Sequence, residues 1–167
     1  NVFPTLPDGS QPNFSGSFAD TGLTSDIPEE LFDGIYGQPD ILMFSNTFVN
    51  NRGITGEIPQ NLFSGLSGNY TPGLFNSTFS GMTKLSGNIP AGLFADLGGA
   101  PQRCMFANTF SGDKLLNGKI PETLFNTFDG APAPYMFYST FNNCSGLSDN
   151  IHADLFKGIH GTPAPYM

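Results

Sequence analysis

A chain of 167 residues is long enough for one ordinary domain, but 17 Phe, 21 Gly and 14 Pro beside few charged side chains set it apart from one. Disorder goes with few aromatics, so this composition reads as folded. The formal charge of −8 lacks the basic patches that nucleic-acid phosphates require. It gives no attraction to an anionic membrane surface, and it suits the solubility of a Phe-rich chain.

Taken in chain order, the elements repeat. Ile27, Ile58, Ile89, Ile120 and Ile151 recur every 31 residues, all but the last followed by Pro. A Leu-Phe pair follows each at fixed offset: Leu31-Phe32, Leu62-Phe63, Leu93-Phe94, Leu124-Phe125 and Leu155-Phe156. A further Phe comes twelve residues after each of the first four pairs, at Phe44, Phe75, Phe106 and Phe137. A strict period in this range predicts a single array in which each unit covers the apolar face of its neighbour. The division is a half unit over 1–13, where Val2-Phe3 and Leu6 mimic the Leu-Phe segment, then units 14–43, 44–74, 75–105, 106–136 and 137–167.

Within a unit, Phe75 and Phe79 stand four apart, which suggests one face of a helical turn. Leu93, Phe94 and Leu97 suggest a second such turn. Between them Leu85, Gly87 and Ile89 alternate with Ser86 and Asn88, the pattern of a short half-buried strand. Pro90 ends it, because Pro donates nothing to a ladder. Gly/Pro-rich returns close each unit, as at Gly130, Pro132 and Pro134. The first unit runs 13 residues from Phe14 to Ile27 where the others run 14, which marks that segment as a loop. The expected fold class is a β/α repeat solenoid with one short parallel strand and short helical turns per 31-residue coil. Phe48, Phe79, Phe110 and Phe141 are expected to be almost fully buried and in contact from coil to coil.

The outward positions of the strand form two files. Thr24, Thr55, Ser86, Asn117 and Ser148 are small and polar. Asp26, Glu57, Asn88, Lys119 and Asn150 are polar and differ in every unit, as exposed positions do. These ten residues are the candidate partner-binding face.

The segment Ile54-Thr55-Gly56-Glu57-Ile58-Pro59-Gln60-Asn61-Leu62-Phe63 resembles leucine-rich repeats of the Ile-Pro-containing plant-receptor type. The segment from Phe137 to Leu147, with Cys144 inside it, resembles BspA-like bacterial leucine-rich repeats. The likeness spans Phe14 to Met167, although the unit is longer than in either type and only Cys144 fills the Cys position. It implies an extracellular or cell-surface protein that binds proteins of a host or a neighbouring cell.

No constellation for chemistry stands out. His152 and His160 occur only in the last unit and read as surface positions. Cys104 and Cys144 occupy different places in their repeats and read as free buried thiols. There is no Walker, Rossmann or His-Glu-x-x-His pattern, and no acidic run with calcium-loop spacing. The expectation is therefore no catalytic residue, no cofactor and no metal. No run of 18 apolar residues suggests a membrane span. The Thr file (Thr47, Thr78, Thr109 and Thr140, with Ser17) reads as hydroxyls bonded back to carbonyls. An ordered-water surface, as in ice-binding repeats, is the lesser alternative. Sequons at Asn13, Asn69, Asn76 and Asn143 count only in a secreted protein.

The expected function is protein–protein adhesion outside the cell. The alternative is a structural filament or stalk segment in which further copies stack end to end. Since terminal repeats normally carry polar caps, the regular last unit suggests a chain that continues or an end covered by another copy. Phe137, Phe141, Leu155 and Phe156 are expected to form that end.

Overall fold

The computed structural model describes residues 11–167; Val2, Phe3 and Leu6 of the expected half unit lie outside the described residues. The Phe-rich segments are not helical, which corrects the expected β/α repeat with helical turns. Among the described residues there is no helix, and the strands are four short ones: β1 Gly68–Asn69, β2 Ser86–Asn88, β3 Leu97–Gly98 and β4 Leu115–Asn117.

What replaces the helix is a ribbon of consecutive turns. Over residues 42–51 the N–H groups of Met43, Ser45, Thr47, Val49 and Asn51 donate to the carbonyl three residues back. The intervening N–H groups of Leu42, Phe44, Asn46, Phe48 and Asn50 donate to Pro72, Leu74, Asn76, Thr78 and Ser80 of the next coil. Local and inter-coil bonds thus alternate along the ribbon, and its amides are satisfied without a helical ladder. Such a ribbon must turn left-handed once in every four residues. Positive φ falls at Leu42, Asn46 and Asn50, at Gly73, Ser77 and Gly81, and at Cys104, Asn108 and Gly112. Asn and Gly dominate there, the residues that tolerate this conformation.

The four-residue period brings Phe to the inner side of every second turn. The rings then stack between coils. Phe44, Phe75 and Phe106 make one column, with centroids 5.9 and 5.6 Å apart. Phe48, Phe79, Phe110 and Phe141 make another, at 5.8, 5.7 and 5.6 Å with planes within 8° of parallel. Phe48, Phe79 and Phe110 are buried, whereas Phe141 is half-buried. A third column from the Leu-Phe pairs interleaves with the first; Phe94 lies 4.6 Å from Phe75 and 4.8 Å from Phe106, tilted. Such pairs each add about 0.5–1.5 kcal/mol beyond area burial. The Leu-Phe segments are also turns: Leu93, Ala95 and Leu97 N–H donate to Pro90, Gly92 and Phe94.

Regular pairing is confined to two edges of the coil. β2 pairs in parallel with β4, Ser86 opposite Leu115, and Gly118 bridges Leu147 in the same direction. β1 pairs with β3 in the return, with bridges Gly37 to Leu66, Gly99 to Phe128 and Gly130 to Ile159. The partners are 29 residues apart, two fewer than the sequence period, so each coil is displaced along the strand direction relative to the last.

Candidate partner-binding face

Of the alternation expected from Leu85 to Ile89, Leu85 and Ile89 are inside and Asn88 is exposed, but Gly87 is half-buried like Ser86 rather than inside. Of the ten outward residues, Thr24, Asp26, Thr55, Glu57, Asn88, Asn117, Lys119, Ser148 and Asn150 are exposed and Ser86 is half-buried. The displacement between coils makes the file run obliquely.

Asp26, Glu57 and Asn88 lie across the next coil, and Thr55 and Ser86 reach back to the preceding one. Asp26 Oδ1 accepts the Thr55 hydroxyl at 2.6 Å, and Ser86 Oγ donates to the Gly56 carbonyl at 3.1 Å. A Cβ on Gly56 would meet Asp26 at 2.6 Å, one on Gly87 would meet Glu57 at 2.6 Å, and one on Gly118 would meet Asn88 at 2.3 Å. Gly56, Gly87 and Gly118 therefore suit the site twice, for a φ of +73° to +77° and for the side chain that crosses them; Asp149 takes the same conformation in the last unit. Beside the file, Glu29, Glu57, Pro59, Gln60, Asn88 and Pro90 line an open hollow of about 400 Å³.

The other residues singled out from the sequence lie elsewhere. His152 Nε2 sits 3.1 Å from Glu122 and His160 Nε2 3.3 Å from Asp129, both exposed surface pairs. Thr47, Thr78, Thr109 and Thr140 are buried, and each hydroxyl reaches a Phe carbonyl of the preceding coil, as Thr109 does to Phe75 at 2.9 Å. Their hydroxyls are thus turned away from solvent. Cys144 is buried and Cys104 half-buried, both free. Among the described residues no group of three or more His, Cys, Asp or Glu could hold a metal ion, and no helix is long and apolar enough to cross a membrane.

Two features escaped the sequence reading. One is an exposed aromatic cluster in which Tyr135 stacks on Tyr166 at 4.8 Å, meets Tyr138 edge-on and carries Arg103 over its ring at 5.8 Å. The nearly identical Ala133-Pro134-Tyr135-Met136 and Ala164-Pro165-Tyr166-Met167 segments were its signal. The other is internal. Tyr70 is buried, its hydroxyl 2.9 Å from Thr127 Oγ1; burial pushes its pKa up to about 12, against the opposing effect of that hydrogen bond. Asp113 is buried within the stack, and nothing in its spacing marked it.

No protein-family model matches the chain, no curated protein is similar to it, and no solved structure matches it. Nothing in these comparisons bears on the leucine-rich-repeat resemblance.

Proposed function

We propose that this chain is a non-enzymatic adhesion module, outside the cell or on its surface, that binds a protein partner through the oblique outward face. The observation that carries the reading is the contrast between inside and outside. The Phe columns and the Thr file repeat the same residue coil after coil, while Asp26, Glu57, Asn88, Lys119 and Asn150 change at every step and stay exposed. A rigid scaffold that presents a varied line of side chains suits recognition of an extended protein surface. The face is acidic at Asp26 and Glu57 and basic at Lys119, which gives a partner an orientation along it.

The test uses beads coated with the 167-residue chain and applied to intact cells and to the same cells after trypsin. Adhesion lost with trypsin identifies a protein ligand. The double variant Asp26→Lys, Glu57→Lys is expected to lose adhesion while remaining folded; Glu57→Lys alone shifts stability by no more than about 0.5 kcal/mol, and Asp26→Lys adds the loss of the Thr55 bond, about 1 kcal/mol. Undiminished adhesion in that variant removes the outward face from consideration.

A second reading, end-to-end stacking of copies in a filament or stalk, draws on the last coil. Phe137, Phe141 and Phe156 line an open hollow of about 370 Å³ there, although Leu155 beside them is buried. Sedimentation of the 167-residue chain across a concentration series distinguishes the two. Concentration-dependent growth favours stacking, and a constant monomer mass favours the adhesion module.

A further inference from the structure

Asp113 is fully buried, and its two carboxyl oxygens are treated unequally. Oδ1 accepts the Met82 N–H at 2.8 Å. Oδ2 is enclosed and has no hydrogen-bond partner. A buried carboxylate with an orphan oxygen is costly unless it is neutral.

The column that Asp113 belongs to shows what the position asks for. Equivalent positions hold Asn51, Met82 and Cys144 in the neighbouring coils. Asn51 Nδ2 donates to the Phe18 carbonyl of the coil before, and Cys144 Sγ donates to the Phe110 carbonyl of the coil before at 2.8 Å. The Thr file reaches back to Phe carbonyls in the same way. Where the column residue is polar, at Asn51 and Cys144, it aims a donor one coil back, while Met82 fills the same place with an apolar side chain. For Asp113 the equivalent acceptor is the Phe79 carbonyl. A carboxylate has no proton to give it, and a carboxylic acid has one.

We infer that Asp113 stands in the fold as a neutral carboxylic acid whose Oδ2–H is directed to the Phe79 carbonyl, and that the joint between its coil and its neighbours is a pH-operated one, closed while Asp113 keeps its proton and loosened when it ionises. The surroundings offer no counter-charge. The preceding coil presents Met82 and the backbone N–H groups of Gly81 and Met82, and the following coil presents the Cys144 thiol. Burial holds the Asp113 carboxyl up at about 9 against the opposing effect of the nearby Met82 and Gly81 N–H groups; burial and then the Asp113 charge hold Cys144 up at about 11. Because the folded pKa of Asp113 lies above its unfolded value, the stability from this group is complete below about pH 4. It is lost progressively as pH rises toward 9.

The experiment compares thermal unfolding of the native chain with Asp113→Asn at several pH values from 5 to 8. The amide keeps an acceptor for Met82 and supplies a donor for Phe79, as Asn51 does in its own coil. The expected result is that the native Tm falls by roughly 10 °C more than that of the variant over this range. Superimposable pH profiles overturn the inference. The native chain alone provides a second measurement that does not depend on the variant folding. The ¹³Cγ resonance of Asp113 is expected at its protonated position at pH 6, and a carboxylate shift at that pH also overturns the inference.

Discussion

Replacing Phe110 by Ala tests what holds the coils together. The ring is fully buried and lies between Phe79 at 5.7 Å and Phe141 at 5.6 Å, with planes 6° and 2° from parallel. Truncation removes two ring contacts and leaves a ring-sized void. The backbone around it is pinned to the next coil by Phe110 N–H to Thr140 at 3.0 Å and Gly112 N–H to Asn142 at 2.8 Å, so the void has little room to collapse. Phe-to-Ala losses run at about 3–5 kcal/mol, and a site that does not relax belongs at the upper end. In a chain of this length that corresponds to a fall in Tm of roughly 10–20 °C. Because a repeat array couples mainly nearest neighbours, the weakened joint is also expected to split one calorimetric transition into two. Phe141→Ala, at a half-buried ring, is the internal comparison and is expected to cost about half as much. A loss below about 1 kcal/mol for Phe110→Ala, against the usual range for buried aromatics, would show that the columns are fillers and that the inter-coil hydrogen bonds alone set the cohesion.

Two further substitutions probe the ribbon itself. Asn108 has φ of 54°, so Asn108→Val is expected to destabilise by about 1–2 kcal/mol while Asn108→Gly stays near neutral, measured by urea midpoints. Thr109→Val removes the hydroxyl that reaches Phe75 O at 2.9 Å and is expected to cost about 1–2 kcal/mol, with Thr109→Ser retaining most of the stability; equal losses for Val and Ser would assign the effect to packing instead.

The columns of Phe were legible because a residue that returns every 31 positions must meet its copy when coils stack. The exposure of Asp26, Glu57, Asn88, Lys119 and Asn150 followed from their polar and changing side chains, whereas the alternation around Gly87 was only partly right, since Gly87 is half-buried like Ser86. The backbone path was not legible from Phe75 and Phe79. A spacing of four fits an α-helical turn, and it fits equally a ribbon whose left-handed residue recurs every fourth position. The discriminating signal lay between and beside the Phe residues, in Asn46 and Asn50, Gly73 and Gly81, and Asn108 and Gly112, which together favour positive φ and disfavour a helix interior. Asp113 gave no local sign. Lys114 follows it and Gly112 precedes it, as in many surface turns, and only the stack places Met82 and Cys144 on either side.

The ribbon also explains why this chain can vary outside without disturbing the inside. In a helix the amides bond within the segment, and neighbouring segments cohere mainly through side chains. Here every second amide crosses to the next coil, as Phe75, Ser77 and Phe79 do to Met105, Ala107 and Thr109. Cohesion is therefore backbone-borne and aromatic together, and the ribbon side carries its most regular run of inter-coil bonds. Among the described residues the strand edge contributes the three-residue pair β2–β4, a bridge at Gly118 and a few single bonds such as Ser86 N–H to the Gly56 carbonyl. It bears the crossing side chains of Asp26, Glu57 and Asn88, which require only that the residue beneath be glycine. At this edge the side chains differ from coil to coil, whereas on the ribbon side the Phe and Thr files repeat the same residue.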